Sequence, residues 1–244
     1  MESKEWFAEW FDSKYYHILY KDRNYEEAEQ FLSKLIDFLK PKLSDKIIDL
    51  ACGKGRHSIF LNKLGYNVVG VDLSPNSIAE ASSFINDRLS FEIADLRELP
   101  FENNFELAFN LFTSFGYFNS DEVNKQVFNQ FYNILKPNGI LLIDFLNAPK
   151  VKSQICIEET KVLEGINFNI NKTIENNRIK KTIDFIDNGI SNSYTESVQL
   201  LDFNDFKHLV NESSFRLLHV FGSYSLETYD EQTSNRLIII AQKI

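Results

Sequence analysis

Residues 47–72 limit the possible fold of this chain most strongly. A short apolar strand at 46–50 runs into the turn Ala-Cys-Gly-Lys-Gly, which precedes a helix predicted over 57–64 and a second strand over 67–71 that ends at Asp72. Glycines between a strand and a helix let the backbone approach a ligand, and the helix N-terminus faces that ligand. The pattern predicts a nucleotide-type site at the edge of a parallel sheet.

The alternation of strand and helix extends on both sides of this segment. We predict helices over 25–39 and 121–135, a further helix that opens at Ser74-Pro75, and strands over 89–94, 105–111 and 140–145. These strands are short and almost continuously apolar. Buried strands that alternate with helices indicate an α/β fold, in which a parallel sheet has helices on both faces.

The alternation of strand and helix stops after about residue 151. Apolar residues alternate with period two over 168–174 and 179–186 around Asn176-Asn177, which predicts an antiparallel β insertion within 151–200. A helix is then predicted over 204–211, followed by strands over 215–221 and 236–241. The segment between these two strands is too short for a crossover helix. We therefore expect them to form an antiparallel pair at the edge of the sheet.

The composition restricts the classes of partner that the chain is expected to bind. The net charge is −9, so the chain lacks the basic footprint that binds nucleic acid or anionic membranes. Its longest apolar runs are strand-sized, which predicts no membrane span. The two cysteines form neither a Cys-x-x-Cys motif nor a cluster with histidine, so we expect no metal site and no disulfide framework. The acidic, aromatic start differs from a signal peptide, and we expect a cytoplasmic protein.

Three acidic residues and one serine help to identify the ligand. Asp72 ends the second strand, 23 residues after Asp49, and is placed to accept hydrogen bonds from two ribose hydroxyls. Asp95 ends the third strand, where it is expected to face an adenine ring. The dinucleotide fingerprint G-x-G-x-x-G would require a third glycine where Ser58 stands. This departure disfavours an NAD-dependent oxidoreductase, which remains an alternative.

Residues 46–147 resemble the class I S-adenosylmethionine-dependent methyltransferases. The resemblance rests on Asp49-Leu-Ala-Cys-Gly-Lys-Gly, Val-Asp72-Leu-Ser-Pro, Ala94-Asp95-Leu, Leu-Lys-Pro-Asn-Gly at 135–139 and Asp144-Phe-Leu-Asn. It implies S-adenosylmethionine as cofactor. It also implies a Rossmann-like, seven-stranded, mostly parallel sheet with an antiparallel last strand and helices on both faces, to which the antiparallel β insertion is added.

The resemblance also implies which residues contact the cofactor. Asp49 would hold the amides of the turn or the amino group of the methionine moiety. Lys54 departs from many relatives and would be unfavourable near a sulfonium unless its side chain points to solvent. The contacts expected around the turn and the strand ends are Asp49, Ala51, Gly53, Gly55, Asp72, Leu73, Asp95, Leu96 and Asn110.

The first 23 residues are rich in aromatic side chains. For residues 6–11 we favour a helix that packs an aromatic stripe onto the sheet. Residues 15–23 show no single apolar face, and they resemble the N-terminal lid of small-molecule methyltransferases such as glycine N-methyltransferase and the amino-sugar N-methyltransferases. That likeness implies cofactor contacts from Tyr15, Tyr20 and Arg23, with Arg23 paired to the cofactor carboxylate.

Residues 110–118 follow the fourth strand, where this superfamily presents the methyl group. They are similar to the Ser-x-Gly-His segment of amino-sugar methyltransferases, with Tyr117 in place of the histidine. A tyrosine is a weak base and suits the orientation of a substrate hydroxyl or amine. The catalytic candidates are Tyr117, which would orient the acceptor, and His17, a possible base. His57 is a further possible base or a structural histidine.

We expect one domain over residues 1–244. Its parts are an N-terminal helical lid (1–40), a cofactor-binding core (46–147), the β insertion (151–200) and a C-terminal helix with core strands (201–244). The leading hypothesis is methyl transfer to nitrogen, oxygen or carbon of a small molecule by in-line displacement. A non-catalytic S-adenosylmethionine-binding protein is the other alternative. The sequence leaves the acceptor unnamed, and it allows a monomer or a homodimer.

Overall fold

The computed structural model of the protein describes residues 5–21, 25–155 and 157–244. Its strands are β1 Lys46–Leu50, β2 Asn67–Asp72, β3 Leu89–Ile93, β4 Phe105–Asn110, β5 Leu135–Leu146, β6 Glu158–Leu163, β7 Ile166–Glu175, β8 Arg178–Asp187, β9 Ile190–Gln199, β10 Phe215–Phe221 and β11 Arg236–Lys243. Its α-helices are α1 Trp6–Trp10, α2 Lys14–Leu19, α3 Tyr25–Leu39, α4 Arg56–Lys63, α5 Pro75–Ala81, α6 Asp121–Ile134, α7 Ala148–Ser153 and α8 Phe203–Glu212.

Seven strands form the main sheet, in the order β10-β11-β5-β4-β1-β2-β3. Strands β1 to β5 pair in parallel, and β11 is antiparallel to both β5 and β10. The predicted seven-stranded, mostly parallel sheet with an antiparallel last strand is confirmed. The predicted antiparallel pair at the edge of the sheet is confirmed, with β10 outermost and β11 between β10 and β5. A place between two strands suits β11, whose Leu237, Ile238, Ile239, Ile240 and Ala241 are all buried.

Alternate residues of the central strands face opposite layers of helices. Ile48, Ala108 and Ile239 belong to one core cluster, which includes residues of α6 and α8. Their neighbours Ile47 and Leu107 belong to another, which includes residues of α3, α4 and α5. Successive side chains of a strand point to opposite faces, so a sheet covered on both sides needs apolar residues throughout. Helices therefore lie on both faces, as predicted.

The insertion is a four-stranded antiparallel meander, β6-β7-β8-β9, where the sequence predicted one hairpin. Each connection is a two-residue turn with both residues at positive φ: Glu164-Gly165, Asn176-Asn177 and Asn188-Gly189. This conformation is that of the type I′ turn, which matches the twist of hairpin strands. The prediction missed β6 and β9 because their apolar alternation is weak, with mostly exposed or half-exposed side chains.

Helices α1 and α2 connect the two sheets. Phe7 of α1 is buried in a cluster with the main sheet, whereas Trp10 and Leu19 are buried against Phe168 and Ile183 of the insertion. The α2 helix was not anticipated, because its residues show no single apolar face. Among the described residues the longest helix is α3, with 15 residues, and no helix there is long and apolar enough to cross a membrane.

Candidate active site

The turn at residues 51–55 lies where the strand order reverses. Strand β1 has β2 on one side and β4 on the other, so the chain crosses from one half of the sheet to the other at this place. In open α/β sheets, ligands bind at the carboxyl ends of the strands at such a switch point. The turn has positive φ at Ala51 (60°), Gly53 (56°) and Gly55 (78°), which bends the chain sharply into α4.

The two glycines of the turn have different surroundings. A Cβ atom built on Gly53 would meet no atom within 4 Å, and Gly53 lines the cavity described below. A Cβ on Gly55 would lie 2.6 Å from the ring of Phe91. Gly55 thus permits close packing of the turn onto β3, whereas Gly53 leaves space beside the backbone. Gly55 was also predicted to contact the cofactor, but it does not line the cavity.

Asp72 faces the cavity from the end of β2. Its Oδ2 accepts a hydrogen bond from the amide of Gly53 at 2.7 Å, and its Oδ1 accepts one from the amide of Ser74 at 2.9 Å. Burial raises the pKa of Asp72, and the backbone amides of Ser74, Gly53 and Leu73 counteract part of that rise. A carboxylate has about four lone-pair positions, so Asp72 can accept two further hydrogen bonds.

Asp49 lies beneath the turn and does not line the cavity. Its side chain is 1% exposed, and its Oδ2 accepts a hydrogen bond from the hydroxyl of Ser58 at 2.6 Å. Burial raises the pKa of Asp49 to about 6, while the hydroxyl and the amide of Ser58 act in the opposite direction. Of the two predicted roles, this position suits fixing the turn, here through Ser58 of α4, and the contact with a methionine amino group stays a prediction.

Asp95 lines the cavity just beyond the end of β3, but its carboxylate is already paired. Arg97 donates to Asp95 from Nε at 3.0 Å, and its other nitrogens donate to Glu5 at 2.7 and 2.8 Å. Burial alone would raise the pKa of Asp95, but the hydrogen bonds from Arg97 outweigh burial and lower that pKa. The pair connects the segment before α1 to the end of β3. Arg97 was not anticipated from the sequence.

Aromatic rings from α1 and from residues 110–118 form one wall of the cavity. The rings of Trp6 and Phe11 each lie 5.3 Å from the ring of Tyr117, and Phe7 stacks on Tyr117 at 6.1 Å. The indole Nε1 of Trp6 is buried and has no hydrogen-bond partner among the described residues. The interpretation of residues 6–11 as a helix that only packs on the sheet was incomplete, because three of its rings line the cavity.

Tyr117 is held in a defined orientation. Its hydroxyl donates to the carbonyl of Thr113 at 2.7 Å, so it can offer lone pairs to a ligand. Asn110 lies behind the cavity, where its amide donates to the carbonyls of Leu50 and Ser114 at 3.1 and 3.2 Å. It was predicted to contact the cofactor, but it does not line the cavity. Asn110 instead ties β1 to the loop that carries Tyr117.

That loop is held by the buried ion pair of Asp144 and Arg236, which the sequence did not reveal. Phe112 and Thr113 both have φ of 62°, which is strained for residues with a Cβ. The amide of Phe112 donates to Asp144 Oδ2 at 2.9 Å, and Arg236 donates to Thr113 Oγ1 at 3.0 Å. Tyr224 donates to Asp144 Oδ2 at 3.0 Å, and burial with the charge of Asp144 raises its pKa.

Helix α2 contributes two of the predicted lid residues to the cavity. His17 and Tyr20 line it, together with Tyr16. Tyr15, also predicted to contact the cofactor, does not line it: its hydroxyl donates to Asp187 Oδ2 at 2.8 Å and its ring packs on Phe185 at 4.5 Å. A short helix necessarily turns neighbouring residues to different sides, so Tyr15 and Tyr16 diverge. The predicted contact of Arg23 lies outside the described residues.

The insertion supplies a polar end to the cavity. Glu196 accepts hydrogen bonds from Tyr20 Oη at 2.7 Å and from Trp10 Nε1 at 2.7 Å. Lys181 contacts the hydroxyl of Tyr20 and lies 3.7 Å from Glu196. Phe168 and Phe185 lie on the same face of the insertion as Lys181, but they are buried against α1 and α2 and do not line the cavity.

These surfaces enclose a cavity of about 660 Å³. The predicted cofactor and catalytic residues that line it are His17, Tyr20, Ala51, Gly53, Asp72, Leu73, Asp95, Leu96 and Tyr117. Lys54 also lines the cavity. Its ammonium pairs with Glu80 at 2.6 Å, so this cation near the expected sulfonium has a counter-charge. In the described part of the chain, no three His, Cys, Asp or Glu side chains gather as a metal-binding group.

The residues present fit S-adenosylmethionine. A desolvated carboxylate with remaining acceptor positions suits a ribose diol, and the open side of Gly53 allows a ligand to lie against the backbone. The buried Nε1 of Trp6 offers a donor that no described residue uses. The cavity volume lies within the range usual for small-molecule sites.

Comparisons with known proteins agree with this geometry. Residues 47–139 match the family described as a methyltransferase domain. A provisionally named methyltransferase of Geobacillus sp. (strain WCH70) is 24% identical over 98% of this chain and 99% of its own length. The glycine/sarcosine N-methyltransferase of Aphanothece halophytica is 25% identical over 91% of this chain and 83% of its own.

A solved structure shows the same fold. The S-adenosylmethionine-dependent methyltransferase from Clostridium acetobutylicum ATCC 824 superposes with a TM-score of 0.78 at 19% identity, and the match covers 94% of this chain and 96% of that protein. The likeness therefore includes the four-stranded insertion as well as the seven-stranded sheet.

Proposed function

We propose that this chain, which belongs to the S-adenosylmethionine-dependent methyltransferases, transfers a methyl group to a nitrogen atom of a small molecule. One observation carries the proposal: a single cavity joins the Asp72 site to an aromatic wall and to a polar end on the insertion sheet. The similarity to a glycine/sarcosine N-methyltransferase over most of both chains favours nitrogen over oxygen or carbon as the acceptor atom.

The residues at the carboxyl edge would hold the cofactor. Asp72 would accept hydrogen bonds from the ribose hydroxyls, with Gly53 and Ala51 beside them. Leu73 and Leu96 would cover the faces of the adenine, and Asp95 would lie at its edge while remaining paired with Arg97. Bound S-adenosylmethionine supplies an electrophilic methyl group on a sulfonium.

The protein's own task is alignment and exclusion of water. Holding a nucleophile and a methyl carbon in line supplies a large part of the rate, and a closed site prevents hydrolysis. Trp6, Phe7 and Phe11 would exclude water from the reacting atoms. Because the hydroxyl of Tyr117 donates to Thr113, it would accept an N–H hydrogen bond and so direct the nitrogen lone pair away from itself. His17 is the other candidate for contact with the acceptor.

The methyltransferase match over 47–139 argues against the NAD-dependent oxidoreductase. A protein that binds S-adenosylmethionine without catalysis is the remaining alternative. Calorimetry with S-adenosylmethionine, S-adenosylhomocysteine and NADH tests the cofactor, and we expect only the first two to bind. Mass spectrometry of a panel of small amines, alcohols and activated carbon acids after incubation with S-adenosylmethionine tests the reaction. Methylation of oxygen or carbon alone, or of nothing, would refute the proposal.

We further propose one catalytic domain with residues 1–40 as its lid, acting in the cytoplasm without nucleic acid, as a monomer or a homodimer. The net charge of −9 and the buried, free Cys52 support the location and the partners. Sedimentation of the purified protein tests the oligomeric state, and cell fractionation tests the location.

A further inference from the structure

The cavity face of the insertion sheet carries a row of charged residues on three adjacent strands. Lys172 of β7 is directly opposite Lys181 of β8, and Lys181 is directly opposite Glu196 of β9. All three side chains line the cavity, and their exposed fractions are 23%, 15% and 15%. The row therefore belongs to the site and not to the solvent-facing side of the sheet.

Two lysines directly opposite each other are unusual, because like charges in cross-strand pairs destabilise a sheet. Burial lowers the pKa of Lys181; the nearby charges of Lys172 and Lys161 lower it further, whereas those of Glu196 and Glu159 counteract part of the shift. Among the described residues, the carboxylates that pair with these lysines are fewer than the ammonium groups. Lys161 and Lys172 share Glu159, at 3.2 and 3.3 Å, and Lys181 pairs with Glu196, at 3.7 Å.

Glu196 is also occupied by other donors. It accepts hydrogen bonds from Trp10 Nε1 and from Tyr20 Oη at 2.7 Å each. Among the residues of this cluster that the structure describes, three ammonium groups thus share two carboxylates, of which one already accepts from two neutral donors. The excess positive charge lies at the end of a cavity whose expected cofactor carries a sulfonium cation. A bound anion would offset the charge of the lysines and that of the sulfonium.

We propose that Lys172 and Lys181 form an anion subsite that binds a carboxylate or phosphate group of the methyl acceptor. The proposal rests on the proposed function and specifies its substrate class: a small amine that also carries an anionic group. Lysine ammonium groups form charge-assisted hydrogen bonds with either kind of anion, and these are stronger in a partly buried site. The adjacent Glu196 would remain free of the acceptor anion by repulsion.

Binding can be measured apart from methyl transfer. Trp6 and Trp10 are the only tryptophans of the chain, and they lie at the cavity and next to Glu196, so their fluorescence reports on this region. Three probes share an aminomethyl group: glycine carries a carboxylate, aminomethylphosphonate a phosphonate, and glycinamide neither. Each is titrated into the protein with and without saturating S-adenosylhomocysteine. We expect at least one anionic probe to bind about tenfold or more tightly than glycinamide.

Variants then assign the preference to the two lysines. Lys172→Gln and Lys181→Gln should each weaken binding of the preferred anionic probe about tenfold and leave glycinamide unchanged, and Lys181→Arg should retain most of the preference. Lys180→Gln is the matched control. Lys180 neighbours Lys181 on β8, so it points to the opposite face, where its ammonium pairs with the exposed Glu175. Circular dichroism checks the fold of each variant.

The probes and the variants together distinguish the possible outcomes. Preference for glycine or for aminomethylphosphonate identifies a carboxylate or a phosphate as the natural group. Equal binding of all three probes, or a preference that survives both Gln variants, overturns the proposal. If the preference is present and disappears in both variants but no amine is methylated, the subsite stands and the proposed function fails. Loss of preference in Lys180→Gln would show a general charge effect and would also overturn the proposal.

Discussion

Arg236 Nε donates to Asp144 Oδ1 at 2.7 Å, and this buried pair joins β11 to β5 directly beneath the loop that carries Tyr117. Asp144 is 1% exposed, and its Oδ2 accepts from the strained amide of Phe112. Burial would lower the pKa of Arg236, but the charge of Asp144 outweighs burial and raises it, so Arg236 stays charged. The last strand therefore fixes a loop more than a hundred residues earlier in the chain.

Replacing one partner of this pair should destabilise the protein. We expect Arg236→Gln to lower the free energy of unfolding by about 3 kcal/mol, because it leaves the carboxylate of Asp144 buried without its counter-charge. Urea unfolding gives the value. Arg216→Gln on the neighbouring strand β10 removes an exposed arginine and should change the free energy by less than about 0.5 kcal/mol. Equal effects of the two substitutions would contradict the role assigned to Arg236.

Asp72→Asn should weaken cofactor binding. The amides of Gly53 and Ser74 donate to different oxygens of Asp72, so an asparagine can keep only one of these hydrogen bonds, and it also loses the charge and half of the acceptor positions. We expect affinity for S-adenosylhomocysteine to fall about tenfold to a hundredfold, the equivalent of one charge-assisted hydrogen bond. Calorimetry measures it. Asp37→Asn, on the exposed side of α3, is the control, and an unchanged affinity in Asp72→Asn would refute the ribose contact.

Stability should depend on pH through Asp49. Its pKa is raised to about 6, so the folded state binds its proton more tightly than the unfolded state, and stability falls as pH rises from about 4 to about 6. The Asp49→Asn variant has no proton to lose at this position, so its stability does not fall in this way. The variant should therefore gain about 3 kcal/mol relative to the parent between about pH 4 and pH 7. Urea titrations across that range test it, and a pH-independent difference between the two proteins would disprove it.

Tyr117→Phe should slow methyl transfer and leave cofactor binding intact. The ring contacts with Trp6 and Phe11 persist in phenylalanine, but the oxygen that would orient the acceptor is lost. We expect kcat to fall about tenfold with the affinity for S-adenosylhomocysteine unchanged, because misalignment of the nucleophile acts on the transition state. Tyr194→Phe, in the core of the insertion, is the control. A variant with full kcat would leave Tyr117 with a structural role only.

Local patterns in the sequence predicted most of the main sheet. Apolar strands, capped helices and the glycine turn depend on residues close in the chain, and the observed ends differ from the predicted ones by a few residues at most. The two strands missed in the insertion had a local signal as well. Asn188-Gly189 is a strong type I′ turn signal, and reading it would have paired β8 with β9.

Contacts between distant segments were not predictable in this way. Asp144 and Arg236 are separated by 92 residues, and nothing in either neighbourhood requires the other. The same holds for Glu196, which receives hydrogen bonds from Trp10 and Tyr20 across the cavity. For a related reason the sequence did not indicate that Tyr15 and Asp49 turn away from the cavity: a motif gives the position of a residue along the chain but not the side to which it turns.

The two glycines of the turn should respond differently to the same substitution. Both have positive φ, so alanine costs about 1 kcal/mol of backbone strain at either position. At Gly55 the new methyl group would also collide with Phe91 at 2.6 Å, so Gly55→Ala should lower the free energy of unfolding by a further 1–3 kcal/mol, as is typical of overpacking. At Gly53 the methyl group enters open space in the cavity, so Gly53→Ala should fold almost normally and lose about tenfold or more in affinity for S-adenosylhomocysteine. Urea unfolding and calorimetry on both variants separate the two effects. If Gly53→Ala bound the cofactor as the parent does, the backbone of the turn would not be the surface on which the cofactor lies.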